Sequence, residues 1–435
     1  MYEVSTKAEL DPNAQLYHPN ISEEDTFAKL KALLKRVAEN SPFYQKKFKE
    51  ANIDIEDIRS LEDLKLLPFT HKEELRDAYP LGLQSVPDSE VVRIHSSSGT
   101  TGKPVIIPYT RKDVDVWAEM VMRCYMLAGL NNQDRIQITP GYGLWTAGIG
   151  FQLGAERLGA MAIPTGPGNT EKQLEMLVDL KSTTLASTSS YAILLAEEIE
   201  KRGLKSQIHL RKGIIGSERW SEKMRSRIET ELGIETFDIY GLTEIYGPGI
   251  GLDCSFHEGM HYWSDYLLFE IIDPITGEQL PDGTLGELVI TTLTKEGAPL
   301  IRYRTRDLTR IIPGVCKCGC PFPRIDRILG RSDDRIKFKA VNIYPGQIED
   351  IIHRVPGVSS EYQILLTRKD GRDSMIFRIE IENAEDSKRK EKTEKALRKA
   401  FKDFIGVTVD VVGMKIGELP RSTKKTKRVI DEREL

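Results

Sequence analysis

Residues 96–104 read Ser-Ser-Ser-Gly-Thr-Thr-Gly-Lys-Pro, with five hydroxyls, two glycines and one ammonium group set between apolar runs at 91–94 and 105–107. Glycines let backbone approach a ligand closely, and hydroxyls, amide N–H groups and ammonium all donate to phosphate oxygens. Ser96, Ser97, Ser98, Gly99, Thr100, Thr101, Gly102 and Lys103 are therefore candidates to grip a phosphate chain. The spacing is not that of the P-loop, which places four residues between its first glycine and a Gly-Lys pair. Read alone, the stretch is equally a plain polar loop between two strands.

Four further stretches carry side chains suited to chemistry. Tyr240-Gly-Leu-Thr-Glu244 offers a hydroxyl, a carboxylate and a glycine after a strand-like run. Thr243 suits a phosphate oxygen, and Glu244 suits Mg²⁺, which favours carboxylate plus phosphate oxygens. The plain alternative is a strand end running into a helix cap. Asp307 stands among arginines in Tyr303-Arg-Thr-Arg-Asp307, and a carboxylate so placed can accept from both ribose hydroxyls. Its alternative is a surface ion-pair cluster. Residues 420–428 hold five cations in nine positions, between strand-like 407–412 and the apolar pair Val429-Ile430, which favours an ordered loop over a basic tail. Finally, Cys316-Lys-Cys-Gly-Cys320 lies some sixty residues beyond Cys254 and His261. Structural zinc needs four Cys or His ligands in a closed tetrahedron. Cys254, His261, Cys316 and Cys318 can supply it if the two loops meet, with His257 and Cys320 as substitutes; reduced thiols without metal are the alternative.

The elements that must position these residues are an alternating series. Helical spacing predicts a core-facing helix over Glu23–Asn40, a short helical region over 61–75 and an amphipathic helix over 112–128 in which Cys124 is core. From 135 to 240, short apolar runs (135–139, 160–164, 184–187, 213–215, 236–239) alternate with helical segments, which argues for a parallel sheet flanked by helices. Ligands in such sheets sit beyond strand carboxyl ends. That singles out 140–143, Gly216-Ser-Glu218 and 240–244. Residues 266–272, 287–293 and 300–312 are β-rich, and the polar stretch 330–334 precedes a new apolar pattern. The expected architecture is α/β: a large N-terminal domain (1–332) with a doubly wound, mostly parallel sheet and a β-rich subdomain (262–329), joined by a hinge to a small α+β domain (333–435).

Composition narrows the function. The 435 residues are 40% hydrophobic and 29% charged with net charge −4, an ordinary soluble balance with no general affinity for nucleic acid or anionic membrane. No run of about 20 apolar residues would span a bilayer. Five cysteines make no disulfide framework and suit a reducing compartment, so a cytoplasmic protein is expected. The charge block at 388–395 reads as a solvated helical face.

Taken together and in order, the stretches at 96–104, 240–244, 303–307, 330–334 and 420–428 resemble the motifs of the adenylate-forming (acyl-CoA synthetase) superfamily. Residues 96–102, 142–146, 154–159, 299–304 and 330–334 look like the phenylacetate–CoA ligase subgroup. The resemblance runs from about residue 25 to the end. It implies ATP, Mg²⁺ and CoA as partners of a carboxylic acid: an acyl-adenylate and pyrophosphate form first, then CoA displaces AMP to give a thioester. It also implies roles. Ser96–Lys103 cradle the β- and γ-phosphates, Thr243 contacts the α-phosphate and Glu244 the Mg²⁺. Asp307 takes the ribose with Arg331 close by. Gly216, Ser217 and Glu218, with Asp238, Ile239, Tyr240 and Gly241, line the adenine slot. Lys425 bridges carboxylate and α-phosphate, and Asp333 is the hinge.

The chain departs from the family in one place, since Lys424 stands where glycine normally precedes the catalytic lysine. Lys424 and Lys425 are thus rivals, and the following Thr-Lys-Arg428 favours Lys425. The resemblance also implies structural Zn²⁺, since some members of the subgroup carry a corresponding cysteine cluster. An aryl acid needs an apolar slot with aromatic walls; Tyr142 and Trp145, with Gly216 opposite, are the expected lining, and phenylacetate is the leading acid. An enzyme that delivers its acyl group to a carrier-protein thiol or an amine would carry the same N-terminal motifs. A zinc-stapled nucleic-acid-binding protein fits the net charge poorly. A homodimer is the default assembly.

Overall fold

The computed structural model of the chain describes residues 22–97, 103–218, 220–333, 336–339, 341–369, 372–420 and 428–433. Contacts divide it into two compact units. One runs to Ser187 and takes in Ile208–Ser217 and Phe237–Ile328; the other is made of Thr188–Gln207, Glu218–Thr236 and everything from Leu329.

The first unit opens with α1 (Glu23–Asn40) and α2 (Pro42–Glu50). Ser22 caps α1 by accepting from the Asp25 N–H, and Ser41 closes α1 and caps α2, whose Pro42 suits a first helical turn. Their apolar faces (Leu30, Leu33, Leu34, Val37, Tyr44, Phe48) form a small core of their own with Leu293 and Ile301. The helix expected over 61–75 is broken in two. A 3₁₀ turn at Leu61–Leu66 ends before Pro68, whose ring disfavours helix at the preceding residue; α3 (Lys72–Asp77) follows. Between them Thr70 bridges Tyr303 as an extended residue.

Strands β1 (Val91–Ser96) and β2 (Ile106–Thr110) pair antiparallel, so residues 96–104 do join two strands. Thr110 and Asp113 form a capping box that starts α4 (Arg111–Leu127), a largely buried helix with Trp117 and Cys124 fully enclosed. The chain continues through β3 (Arg135–Ile138), α5 (Ala147–Leu158), β4 (Met161–Ile163), α6 (Thr170–Asp179), β5 (Thr184–Thr188), α7 (Ser189–Lys201), β6 (Lys212–Gly216), α8 (Glu222–Leu232), β7 (Glu235–Leu242), β8 (Gly247–Asp253) and β9 (Met260–Tyr262). Then come β10 (Leu267–Ile272), β11 (Gly286–Thr292), β12 (Tyr303–Thr309), β13 (Ile311–Ile312) and β14 (Arg324–Ile325).

The main sheet has nine strands in the order β13-β14-β9-β8-β7-β6-β5-β3-β4. From β3 the chain steps out to β4, then returns to β5 on the other side of β3, which makes β3/β5 a switch point where ligand crevices form. Parallel pairing joins β4, β3 and β5. β7, β8, β9, β14 and β13 are antiparallel neighbours, because the chain turns straight back after Leu242 instead of entering a helix. The strand-then-helix-cap alternative for 240–244 is therefore incorrect: β7 runs through Leu242, and β structure begins before residue 262. A separate antiparallel ladder joins β10, β11 and β12.

Within the second unit, α7 and α8 pack on each other. It continues with β15 (Gly330–Arg331), β16 (Ile336–Phe338), β17 (Val341–Ile343), α9 (Pro345–Arg354), β18 (Val358–Lys369), β19 (Arg372–Ile381), α10 (Ser387–Ile405), β20 (Asp410–Met414) and β21 (Val429–Asp431). Strand order β20-β19-β18-β21 makes a four-stranded sheet over a core with α9 and α10. The 388–395 charge block makes up the largely exposed first turns of α10, and the buried residues of that helix, Leu397, Ala400, Phe401 and Ile405, come after it.

Candidate functional site

The most constrained chemistry is the reversal between β7 and β8. The N–H groups of Ile245 and Tyr246 both turn back to the Leu242 carbonyl (3.1 and 3.2 Å), so residues 242–246 form one tight turn. Gly241 permits it: a Cβ there would lie 1.9 Å from the Gly247 carbonyl oxygen. The Thr243 hydroxyl meets that of Thr146 at 3.3 Å. Glu244 is only 4% exposed, and Lys72 Nζ from α3 lies 2.9 Å from its Oε1. Among the described residues this ion pair is what Oε1 has, with no hydrogen bond beside it. A buried carboxylate oxygen with unspent lone pairs suits a hard cation.

Further along β7, the Tyr240 hydroxyl donates to Asp307 Oδ2 at 2.5 Å, and the Asp307 N–H donates to Thr305 Oγ1 at 3.0 Å. Asp307 is 5% exposed, so it is no surface ion-pair residue. The Asp238 N–H donates to Asp253 Oδ1. Gly216 ends β6 against Ile239, whose carbonyl would be 2.4 Å from an added Cβ, and Ser217 beyond it has φ +67°, a left-handed conformation rare for serine.

The stem of the 96–104 loop is closed by a reciprocal pair: Ser97 N–H to the Val105 carbonyl, and Val105 N–H to Ser97 Oγ, both 3.0 Å. The Ser96 N–H donates to the Leu144 carbonyl (2.8 Å), and His95 Nδ1 reaches the same oxygen at 3.2 Å. These two bonds tie the start of the loop to residues 142–145. Burial pushes the His95 imidazole down to about 4, so it is neutral, with Nδ1–H donating. Lys103 Nζ stands 5.7 Å from the Tyr79 ring centre. Trp145 is 47% exposed and therefore not core, whereas the Tyr142 hydroxyl is buried without a hydrogen-bond partner among the described residues.

In the second unit, Glu218 Oε2 accepts from the Ser189 hydroxyl and from both the N–H and hydroxyl of Ser190, at the start of α7. Arg331 and Asp333 form a two-pronged ion pair at 2.8 and 2.9 Å. Ser98, Gly99, Thr100, Thr101, Gly102, Lys424 and Lys425 lie outside the described residues.

The cysteine loops do meet. Donor atoms of Cys254, His261, Cys316 and Cys318 all fall within 4.8 Å of one another. Cys254 and Cys316 Sγ are 3.6 Å apart, and Cys318 Sγ is 3.3 Å from His261 Nε2. His261 Nδ1–H donates to the Phe322 carbonyl (2.8 Å), which leaves Nε2 as the ligand nitrogen. His257 pairs with Asp253 instead, and Cys320 lies outside the group.

Three neighbours of these candidate residues escape the sequence reading. His95 stands next to the loop but reads as part of an apolar strand. Lys72 reads as a surface helix residue. Lys295, 1% exposed, sits in a turn with no motif at all. Only the fold brings each to its place.

A model of AMP-binding enzymes matches residues 23–294, and one of the AMP-binding enzyme C-terminal domain matches 340–433. The chain belongs to the AMP-binding enzyme family. Within it, the chain is 42% identical to phenylacetate-coenzyme A ligase of Pseudomonas putida over 100% of this chain and 99% of that one. It is also 42% identical to the Escherichia coli (strain K12) phenylacetate-coenzyme A ligase, over 94% of each. This is the phenylacetate–CoA ligase subgroup that the motifs resemble. Among solved structures, 2-hydroxyisobutyryl-CoA ligase in the postadenylation state with 2-HIB-AMP superimposes with TM-score 0.87 at 27% identity, covering 95% of this chain and 90% of that one.

Proposed function

We propose that the chain is an ATP-dependent aryl-acid CoA ligase with phenylacetate as its leading substrate. The carboxylate oxygen attacks the α-phosphorus and pyrophosphate leaves. The CoA sulfur then attacks the acyl carbon, the thiol proton goes to solvent, and AMP departs with the bridging oxygen. The observation that carries this reading is the meeting of the Thr243–Glu244 turn at the end of β7 with the Tyr240–Asp307 hydrogen bond that joins β7 to β12, in a chain similar along its length to phenylacetate-CoA ligases.

In this reading Thr243 holds an α-phosphate oxygen, while Asp307, preset by Tyr240, takes the ribose hydroxyls with help from Arg331. Gly216, Ser217 and Glu218, with residues 238–241, form the adenine slot. Ser96–Lys103 hold the outgoing pyrophosphate. Lys425, preferred to Lys424, bridges the two reacting anions, and Asp333 serves as the hinge that would withdraw it. Glu244 would hold Mg²⁺, which when bound offsets charge building on the phosphates. Half-exposed Trp145 and Tyr142 wall the acid slot. Cys254, His261, Cys316 and Cys318 fit a structural zinc, since sulfurs bound at about 2.3 Å in a tetrahedron sit slightly under 4 Å apart. The five free cysteines suit a reducing cytoplasm. Among the described residues no helix is long and apolar enough to cross a membrane.

A pyrophosphate-release panel over aryl and alkyl acids, followed by mass detection of CoA thioesters, tests the reading. Turnover is expected with phenylacetate and CoA; turnover with alkyl acids alone, or adenylate formation that CoA cannot discharge, would overturn it.

A further inference from the structure

Lys295 is an unusual residue to find sealed inside a protein. Its side chain is 1% exposed and forms no ion pair among the described residues, although burying an ammonium group is costly without a partner. Two aromatic faces and one carbonyl surround it. Nζ lies 3.9 Å from the Tyr109 ring centre and 4.0 Å from that of Tyr246, and donates to the Ile245 carbonyl at 2.5 Å. Cation–π attraction is strongest where water is excluded. The nearest carboxylate in charge terms, Asp113, spends its oxygens on the N–H groups of Thr110, Glu296 and Gly297.

Ile245 follows Glu244 directly. The carbonyls behind the turn are held one after another by buried side chains: Ile245 by Lys295, Tyr246 by the Tyr109 hydroxyl (2.7 Å) and Pro248 by the Trp117 indole N–H (2.9 Å). On the inner side the N–H groups of Ile245 and Tyr246 are spent on Leu242. With both faces of the peptide planes fixed, Thr243 and Glu244 have little freedom left.

We infer that Lys295 is a positioning residue for adenylation: through the Ile245 carbonyl it sets the turn that aims Glu244 at the metal–triphosphate and Thr243 at the α-phosphate. It acts from behind the site and touches no substrate. The inference rests on the roles proposed above for Glu244 and Thr243.

Lys295→Met keeps the length and the apolar stem but removes the donor to the Ile245 carbonyl. Binding of Mn²⁺ to the enzyme–ATP complex, read by electron paramagnetic resonance, is expected to weaken at least 10-fold. The adenylation kcat is expected to fall at least 30-fold with ATP KM changed less than 3-fold. Thioester formation from supplied acyl-adenylate should stay within 3-fold. Equal loss in both half-reactions, or unchanged Mn²⁺ affinity, would assign Lys295 to folding alone and overturn the inference. Glu244→Gln run alongside separates the two layers. If that variant binds Mn²⁺ as the parent does, the reading of Glu244 fails; if it loses Mn²⁺ and Lys295→Met does not, only the role of Lys295 fails. Should Lys295→Met not fold, Tyr109→Phe removes just the hydroxyl on the Tyr246 carbonyl and keeps the ring. A 3-fold or larger loss of Mn²⁺ affinity there upholds the pinned turn, and no change overturns it.

Discussion

Cys254, His261, Cys316 and Cys318 close four donor atoms within 4.8 Å of one another, whereas Glu244 brings one buried carboxylate with a lysine beside it. The first arrangement is complete without substrate and ties the loop after β8 to the loop before β14. In the reading proposed above the second awaits a hard cation, which needs several more oxygens than one glutamate supplies. A closed set belongs to folding and an open one to turnover. The two regions lie in the same unit yet should fail in opposite ways when damaged.

Glu244→Gln should show the largest effect on turnover. Loss of one charge-stabilising group at a developing phosphate charge costs about 10²–10³ in rate, so adenylation measured by pyrophosphate release should fall about that far. The melting temperature should move by no more than about 2 °C, since the amide fills the same volume. Cys316→Ser should do the reverse. Zinc measured by mass spectrometry should drop from near one equivalent to a small fraction, with a loss of at least about 3 kcal/mol of stability. That corresponds to about 5 °C in melting temperature for a unit this size. Adenylation per folded molecule should stay within about 3-fold. If either variant showed the other's pattern, the division between the two regions would not hold.

His95 sharpens the contrast by pH. Its folded value of about 4 lies below the ordinary 6.5, chiefly because burial disfavours the charged ring. Above about 6.5 both folded and unfolded chains carry it neutral, and its contribution is fully present. As pH falls toward 4 the unfolded chain takes up a proton that the folded one resists, so up to about 3 kcal/mol is lost over that window. His95→Asn retains a donor for the Leu144 carbonyl without titrating. The melting temperature of the variant should therefore fall less steeply than the parent's between pH 6.5 and 4; parallel curves would remove His95 from the account. The smallest effect is expected from Tyr240→Phe, which deprives Asp307 of one hydrogen bond worth about 1 kcal/mol. ATP KM should rise about 3–10-fold, with zinc content unchanged.

What the sequence disclosed follows the range of the interactions involved. The 96–104 loop, the 240–244 motif and the run ending at Asp307 stand out as candidates because each is a short run whose residue types suit a chemistry. The cysteine set is legible as candidates, but the choice of Cys318 over Cys320 and of His261 over His257 depends on how two loops sixty residues apart come together. The reversal after Leu242 is not legible, because a tight turn at Gly241–Gly247 and a helix entry begin with the same small and polar residues. Lys72, His95 and Lys295 were invisible. A lysine in a turn reads as solvent-facing, and only packing against Tyr109 and Tyr246 reveals one that is sealed.

The central claim is that the acid is activated as its adenylate and discharged onto CoA. Phenylacetate carrying ¹⁸O in both carboxylate positions tests it in one turnover, with AMP and thioester analysed by mass spectrometry. The account predicts one ¹⁸O in AMP and one retained in the phenylacetyl thioester. Unlabelled AMP accompanying a thioester product would contradict it.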